Sequence, residues 1–288
     1  MCVSSSPARL ENTAILTSVN DQNEVLSIYE NDAANGNDSQ EYRGANSMIF
    51  AVPSNINNIE LVSLKTCPNF LTDLAGFIRN YGSRGLGMGM KGAVKIIDYD
   101  DLYTVVIAEN ASDIPNIIND SPQIPSNRQI QPNQTLFDFF DAYYKKVFLD
   151  FYGYTEWSFI IALFNTTSLK RGRVGITYPL PQSNQLFIPG LDCHTGGIPD
   201  ITNPIDRDHT LIFMLSEISG HSVPVNLNNS TFREPIPNDL KKLFPVPGKA
   251  IIVDKVGSNH RNGDWMIHIN DLKDGVLIKR KLYSVNNL

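Results

Sequence analysis

Residues 186–214 hold the highest density of potentially reactive side chains in the chain, in the stretch LFIPGLDCHTGGIPDITNPIDRDHTLIFM. Two apolar runs in this stretch, 186–191 and 210–215, have the length and composition of β-strands. They flank a polar loop, in which the side chains that could carry chemistry are Asp192, Cys193, His194, Asp200, Asp206, Asp208 and His209. We therefore take this loop as the centre of the fold and as a candidate site.

Strand-like runs dominate the rest of the chain and are joined by short polar turns such as 20–23 and 99–101. The runs are 12–19, 24–29, 46–52, 59–64, 93–98, 102–109, 159–164, 174–178, 250–253, 264–269 and 276–283. Apolar residues at helical spacing predict two main helices, over 69–80 and 134–152. Many strands with antiparallel connections and about two substantial helices indicate an α+β fold built mostly of antiparallel sheets.

Two polar segments interrupt this pattern. Residues 30–44 have almost no branched apolar side chains, which predicts an exposed and mobile loop. Residues 110–133 contain four prolines among Asn, Ser and Gln, which is typical of a linker. We expect a single α+β domain over 1–288, with 110–133 as the boundary if it divides into subdomains 1–109 and 134–288.

Composition limits the classes of partner. The net charge is −6, and the longest run of basic residues is the triplet 279–281, so neither nucleic acid nor an anionic membrane surface is expected as a partner. The longest apolar stretch, 159–164, is far shorter than the roughly 20 residues that cross a bilayer, and the first residues do not resemble a signal peptide. Three cysteines cannot form a closed disulfide framework. These features favour a cytoplasmic protein with reduced thiols.

The loop at 192–209 supports several alternative sites. In extended chain, Asp192 and His194 project from the same face, and with Asp208 and His209 they could bind Zn²⁺ or Mn²⁺ in a metal-dependent hydrolase. In the structural alternative, the aspartates cap turns and His209 pairs with one of them. Cys193 could be a nucleophile with a histidine base, but strand alternation points it away from His194, so an inert buried thiol is favoured.

Two further segments suggest a binding function without catalysis. Residues 82–92 are rich in glycine and methionine and satisfy the spacing GxGxxG, but a predicted helix precedes them and a strand follows, so a flexible loop is favoured over a cofactor site. The predicted helix 134–152 carries more aromatic residues than one buried face requires. Together they suggest a non-enzymatic binding or structural subunit, and a homo-oligomer, as the alternative to an enzyme.

Cys2 follows the initiator methionine directly. If Met1 is removed, the α-amine of Cys2 can act as the base for its own thiol, since its pKa of about 8 is suited to that task. This start resembles that of the N-terminal-nucleophile cysteine hydrolases, such as the choloylglycine-type amidases and the class II glutamine amidotransferases. The resemblance implies an αββα layered fold, no cofactor, and hydrolysis of an amide bond in a small-molecule or peptide substrate. Cys2 would be the nucleophile, assisted by Asp192, His194 and His209.

Overall fold

The computed structural model describes residues 3–36, 44–80, 97–98, 102–109, 114–130, 138, 141–142, 144–150, 153, 157–205, 209–220, 222–228, 230–253 and 260–274. The strands are β1 Val3–Ser4, β2 Ala8–Val19, β3 Glu24–Asn35, β4 Asn46–Val52, β5 Glu60–Val62, β6 Ile97–Asp98, β7 Thr104–Ala108, β8 Ser158–Phe164, β9 Lys170–Pro179, β10 Gln185–Ile188, β11 Pro204–Ile205, β12 Thr210–Leu215, β13 Val223–Val225, β14 Gly248–Val253, β15 His260–Arg261 and β16 Trp265–His268. The helices are α1 Phe70–Arg79, α2 Ile114–Asp120, α3 Asn238–Lys242 and α4 Ile269–Lys273, with a π-helix at Tyr144–Leu149 and 3₁₀ turns at Ile56–Asn58 and Ser126–Arg128.

Two large sheets organise these strands. One has seven strands in the order β13-β14-β12-β2-β3-β9-β5, and the other has five in the order β1-β4-β8-β7-β6. Every pair in both sheets is antiparallel except β2 with β12. Two small ribbons, β10 with β16 and β11 with β15, complete the sheet structure. The predicted α+β class with mostly antiparallel sheets is therefore confirmed.

Alternation along the apolar strands creates separate cores on the two faces of each sheet. In β8 every residue is buried, and successive side chains point to opposite faces because the strand period is two. Ile160, Ala162 and Phe164 pack in the core between the two sheets, whereas Phe159, Ile161 and Leu163 pack on the outer side. Continuous apolar sequence is thus the mark of a strand buried on both faces.

Helices cover the two outer faces, so the fold has four layers in the order α, β, β, α. Leu16, Ile28 and Ile212 of the seven-stranded sheet share a core with Leu74 of α1 and Leu240 of α3. The outer core of the five-stranded sheet includes side chains from α2 and the π-helix, namely Ile114, Ile118, Val147 and Phe148. Between the sheets, the rings of Tyr29 and Phe50 stack at 5.6 Å. The helices found over the described residues are too short or too polar to cross a membrane.

Four predicted segments differ from the structure or lie partly or wholly outside the described residues. The predicted loop 30–44 is wrong over 30–35, because β3 continues there and Glu30 and Asp32 lie opposite Arg173 and Arg171 of β9. Residues 110–133 contain α2 and buried isoleucines at 114, 118, 124 and 130, so they contribute to the core; the boundary between subdomains stays a prediction. Within 134–152, the described residues include the π-helix, while the glycine-rich segment 82–92 lies outside the described residues.

Candidate functional site

The backbone that leads into the 192–209 loop is held by two buried polar side chains of the neighbouring segment. Asp264 Oδ1 accepts hydrogen bonds from the amides of Gly190 (2.8 Å) and Leu191 (2.9 Å). Asn262 Oδ1 accepts from the Asp192 amide at 2.8 Å, and Asn262 Nδ2 donates to the Asp192 carbonyl at 2.6 Å. Asp264 and Asn262 are almost completely buried, so these bonds form in a region of low dielectric constant where they are strong. They fix the direction in which the Asp192 side chain projects from the backbone.

Asp192 and His194 are brought together as predicted. Asp192 Oδ1 lies 2.8 Å from His194 Nε2, although the two atoms are not aligned for a hydrogen bond. The thiol of Cys193 instead contacts the Thr195 hydroxyl and the Gly197 carbonyl, both at 3.3 Å. Its hydrogen-bond partners are thus a hydroxyl and a carbonyl, neither of which can act as a general base.

The start of the chain lies beside the same loop. Val3 forms a parallel bridge with Cys193, the Ser4 amide donates to the Cys193 carbonyl at 3.0 Å, and the Ala8 amide donates to the His194 carbonyl at 2.9 Å. Cys2 lies outside the described residues. Its predicted role as a nucleophile near this loop therefore stays a prediction.

The remaining candidate ligands are not assembled into a site by the described residues. His209 is fully buried at the start of β12, and its ring meets the edge of Trp265 at 6.0 Å. Asp208 lies outside the described residues, and the described part of the chain contains no group of three or more His, Cys, Asp or Glu side chains that could hold a metal ion. A site for Zn²⁺ or Mn²⁺ made from Asp192, His194, Asp208 and His209 stays a prediction.

A cleft of about 760 Å³ opens at one end of the sheet sandwich, and we call it the end cleft. Its first wall comes from the five-stranded sheet, where β4 and β7 end beside the start of β8: Val52 pairs with Ser158, and Ala108 pairs with Phe159. Its second wall is the turn that follows β9 of the other sheet. The lining residues are Pro53, Ser54, Asn55, Asn58, Glu109, Trp157, Ser158, Pro179, Leu180, Pro181 and Gln182.

Hydrogen bonds fix both walls of the end cleft. The Ser54 carbonyl accepts from the Ser158 amide at 3.1 Å and from the Ser158 hydroxyl at 2.7 Å. On the second wall, the Leu180 amide donates to the Asn23 carbonyl at 2.9 Å. The indole of Trp157 meets the ring of Phe187 edge to face at 4.9 Å. These contacts hold both walls of the end cleft in place.

Sequence reasoning missed this cleft because its lining comes from four segments, near 53–58, 109, 157–158 and 179–182. Each segment follows or precedes a strand, and none contains a motif. The only local signal was the interruption of strand-like runs by prolines, at Pro53 and Pro179. Asn262 and Asp264 were missed for a similar reason, since their partners are backbone groups some seventy residues away in the chain.

No protein-family model and no curated protein matches the chain. Among solved structures, the chain is similar to baculovirus P35, with 11% sequence identity, a TM-score of 0.47, and coverage of 76% of this chain and 68% of that one. It is also similar to the caspase-8/P35 complex, with 12% identity and a TM-score of 0.39 over 73% of this chain and 64% of that one. At these scores the likeness assigns neither a partner nor an activity to this chain.

The expected resemblance to the N-terminal-nucleophile cysteine hydrolases is wrong. The solved structures reported above are those of P35 and its complex with caspase-8, and neither is an N-terminal-nucleophile hydrolase. The resemblance was inferred from the position of Cys2 alone, and a single residue does not determine strand order. The interpretation of the protein as an amide hydrolase depended on that resemblance and is not supported.

Proposed function

We propose that the protein is a non-enzymatic binding protein that holds an extended peptide segment of a partner in the end cleft. The observation that carries this proposal is the cleft itself, which has a volume of about 760 Å³ and walls fixed by hydrogen bonds from both sheets. Ligand sites are typically concavities of about 300–1,000 Å³, and the volume of the end cleft lies in that range. A preformed site also avoids the cost of ordering loops on binding.

The chemistry of the lining favours a peptide. Asn58 and Gln182 are exposed, and their side-chain amides can donate to and accept from peptide groups. Pro53, Pro179 and Pro181 form rigid apolar surfaces between these polar groups. An extended chain offers the matching alternation, because its peptide groups lie between side chains that point in opposite directions.

The lining also favours binding over catalysis. Among the described residues that line the end cleft, Glu109 is the only one with an ionisable side chain. General acid–base catalysis needs a proton donor and a proton acceptor of suitable pKa within reach of the reacting atoms. Nucleophilic catalysis needs a nucleophile with a base beside it. Neither arrangement is present among these lining residues.

The test begins with selection from a phage library of random peptides of about twelve residues, using the purified full-length protein as bait. Selected peptides are synthesised, and their affinity is measured by fluorescence anisotropy. We expect the double variant Asn58→Ala with Gln182→Ala to bind about tenfold or more weakly, since two lost hydrogen bonds weaken binding by roughly 0.5–1.5 kcal/mol each.

The matched control is Asn127→Ala. Asn127 is also an exposed asparagine, but its carbonyl accepts from Asn165, which follows the opposite end of β8. This variant should bind the peptides as the unchanged protein does. The proposal is contradicted if no peptide is enriched, if the double variant binds as tightly as the control, or if a glycan array shows binding in this cleft where peptides show none.

A further inference from the structure

The end cleft contains one fixed negative charge. Glu109 directly follows β7, and the pairing of Ala108 with Phe159 places it beside Ser158 on the neighbouring strand. Its side chain is exposed, and Oε1 accepts a hydrogen bond from Asn55 Nδ2 at 3.1 Å. None of the described residues that line the cleft is a lysine, an arginine or a histidine. The wall therefore presents a carboxylate that no cation of the lining compensates.

The position of this carboxylate is set by a short chain of contacts. Asn55 is the N-cap of the 3₁₀ turn Ile56–Asn58, and its Oδ1 accepts from the Asn57 amide at 3.0 Å. The same oxygen accepts from Asn57 Nδ2 at 2.9 Å. Because Oδ1 is held in this way, the opposite end of the amide, Nδ2, is directed to Glu109. The amide neutralises no charge, so it orients the carboxylate and leaves its attraction for a cation intact.

We propose that the end cleft selects peptide segments that carry an arginine or lysine side chain, seated on the Glu109 carboxylate. This inference rests on the proposed function and names the chemistry of its ligand. A carboxylate oxygen has two acceptor positions, so Oε1 can receive Asn55 and still accept from the ligand, and Oε2 belongs to the same exposed side chain. An arginine would satisfy both oxygens with parallel N–H donors, and a lysine would reach one of them.

Trp157 strengthens the preference for a cation. Its indole also lines the end cleft, half-buried and held nearly perpendicular to the ring of Phe187. The face of an indole attracts a guanidinium or ammonium group. A cationic side chain with an aliphatic stem would therefore meet an apolar ring along the stem and a carboxylate at its end. A metal ion is a poorer match, since one carboxylate among amides and hydroxyls falls short of the ligand set of a protein metal site.

The experiment is a charge exchange between protein and peptide. The probe is the tightest peptide from the phage selection, made in three forms with arginine, citrulline or glutamate at its basic position. We expect Glu109→Gln to weaken binding of the arginine form about fivefold to twentyfold and to leave the citrulline form almost unchanged. Glu109→Lys should reverse the order, so that the glutamate form binds more tightly than the arginine form.

Glu217→Gln is the matched control, because Glu217 is an exposed glutamate outside the end cleft. The affinity of the unchanged protein for the arginine form should also fall between about 50 and about 500 mM salt more steeply than that of Glu109→Gln. Selected peptides without a basic residue, or an unchanged affinity in Glu109→Gln, would overturn this inference and leave the proposed function standing. A selection that yields no peptide at all would overturn both.

Discussion

We expect Asp264→Ala to be among the most destabilising single substitutions in the chain. The Asp264 carboxylate is 3% exposed, and its Oδ1 accepts from the amides of Gly190 and Leu191, which are themselves buried. Alanine would remove the acceptor and leave two buried amides without a partner. An unsatisfied buried donor costs roughly 1–3 kcal/mol, so the expected loss in free energy of unfolding is about 2–6 kcal/mol. For a protein of 288 residues, that loss corresponds to a melting temperature lower by roughly 3–10 °C.

Asp200 provides the control that separates burial from the number of hydrogen bonds. Its carboxylate accepts from the amides of Thr202 and Asn203 and from both of their side chains, which hold the pKa of Asp200 well below its ordinary value. It therefore accepts more bonds than Asp264 Oδ1, but it is exposed, and water can replace every one of them. We expect Asp200→Ala to change stability far less than Asp264→Ala does.

Thermal unfolding followed by circular dichroism compares the two variants, and Asp264→Asn serves as a third. Asparagine keeps an oxygen in the position of Oδ1 and should recover part of the lost stability. If Asp200→Ala lowers the melting temperature as much as Asp264→Ala, the number of bonds and not their burial decides the cost, and the reasoning is refuted.

Three further predictions concern glycines, a buried acid and a thiol. Gly190→Ala should destabilise the protein by about 1–3 kcal/mol in urea unfolding, because the added Cβ would lie 2.5 Å from the Trp265 ring. In Gly76→Ala, in α1, the added Cβ meets no atom within 4 Å, so this variant should be about 0.5–1 kcal/mol more stable. Burial raises the pKa of the Glu30 carboxyl above its ordinary value. The contribution of Glu30 to stability is therefore present at about pH 4 and is lost as the pH rises through the raised pKa. In the same urea assay, the stability of the unchanged protein relative to Glu30→Gln should fall from about pH 4 to about pH 7. Burial raises the pKa of the Cys67 thiol to about 12, so iodoacetamide at neutral pH should alkylate it only after denaturation, as peptide mass spectrometry can show.

The apolar strands were the most predictable part of the fold. The run 46–52 coincides with β4, and 159–164 lies within β8, because a continuous apolar run in a two-sheet sandwich is buried on both faces. Helix α1 was predicted as 69–80 from one apolar stripe and forms over Phe70–Arg79. In these elements, local pattern and tertiary environment favour the same structure.

Prediction failed where a polar residue finds its partner across the sheet. Glu30 and Asp32 look like loop residues in sequence, yet Glu30 lies 3.0 Å from Arg173 and Asp32 lies 2.9 Å from Arg171, both on β9. Cross-strand pairing of opposite charges makes a polar sequence compatible with a strand, and the partner lies about 140 residues away. The sequence of residues 30–44 alone gives no indication of this cross-strand pairing.

The contrast between the 192–209 loop and the end cleft follows from what their polar groups are used for. In the loop and its surroundings, polar atoms of Asp200, Asn262 and Asp264 accept from backbone amides, so much of their capacity maintains the shape of the chain. At the end cleft, backbone and serine groups fix the walls, while Asn58 and Gln182 remain exposed. A binding site needs hydrogen-bonding capacity beyond what its own fold consumes. That surplus, and not the local density of reactive residues, is the physical reason for our proposal that the protein binds its partner in the end cleft.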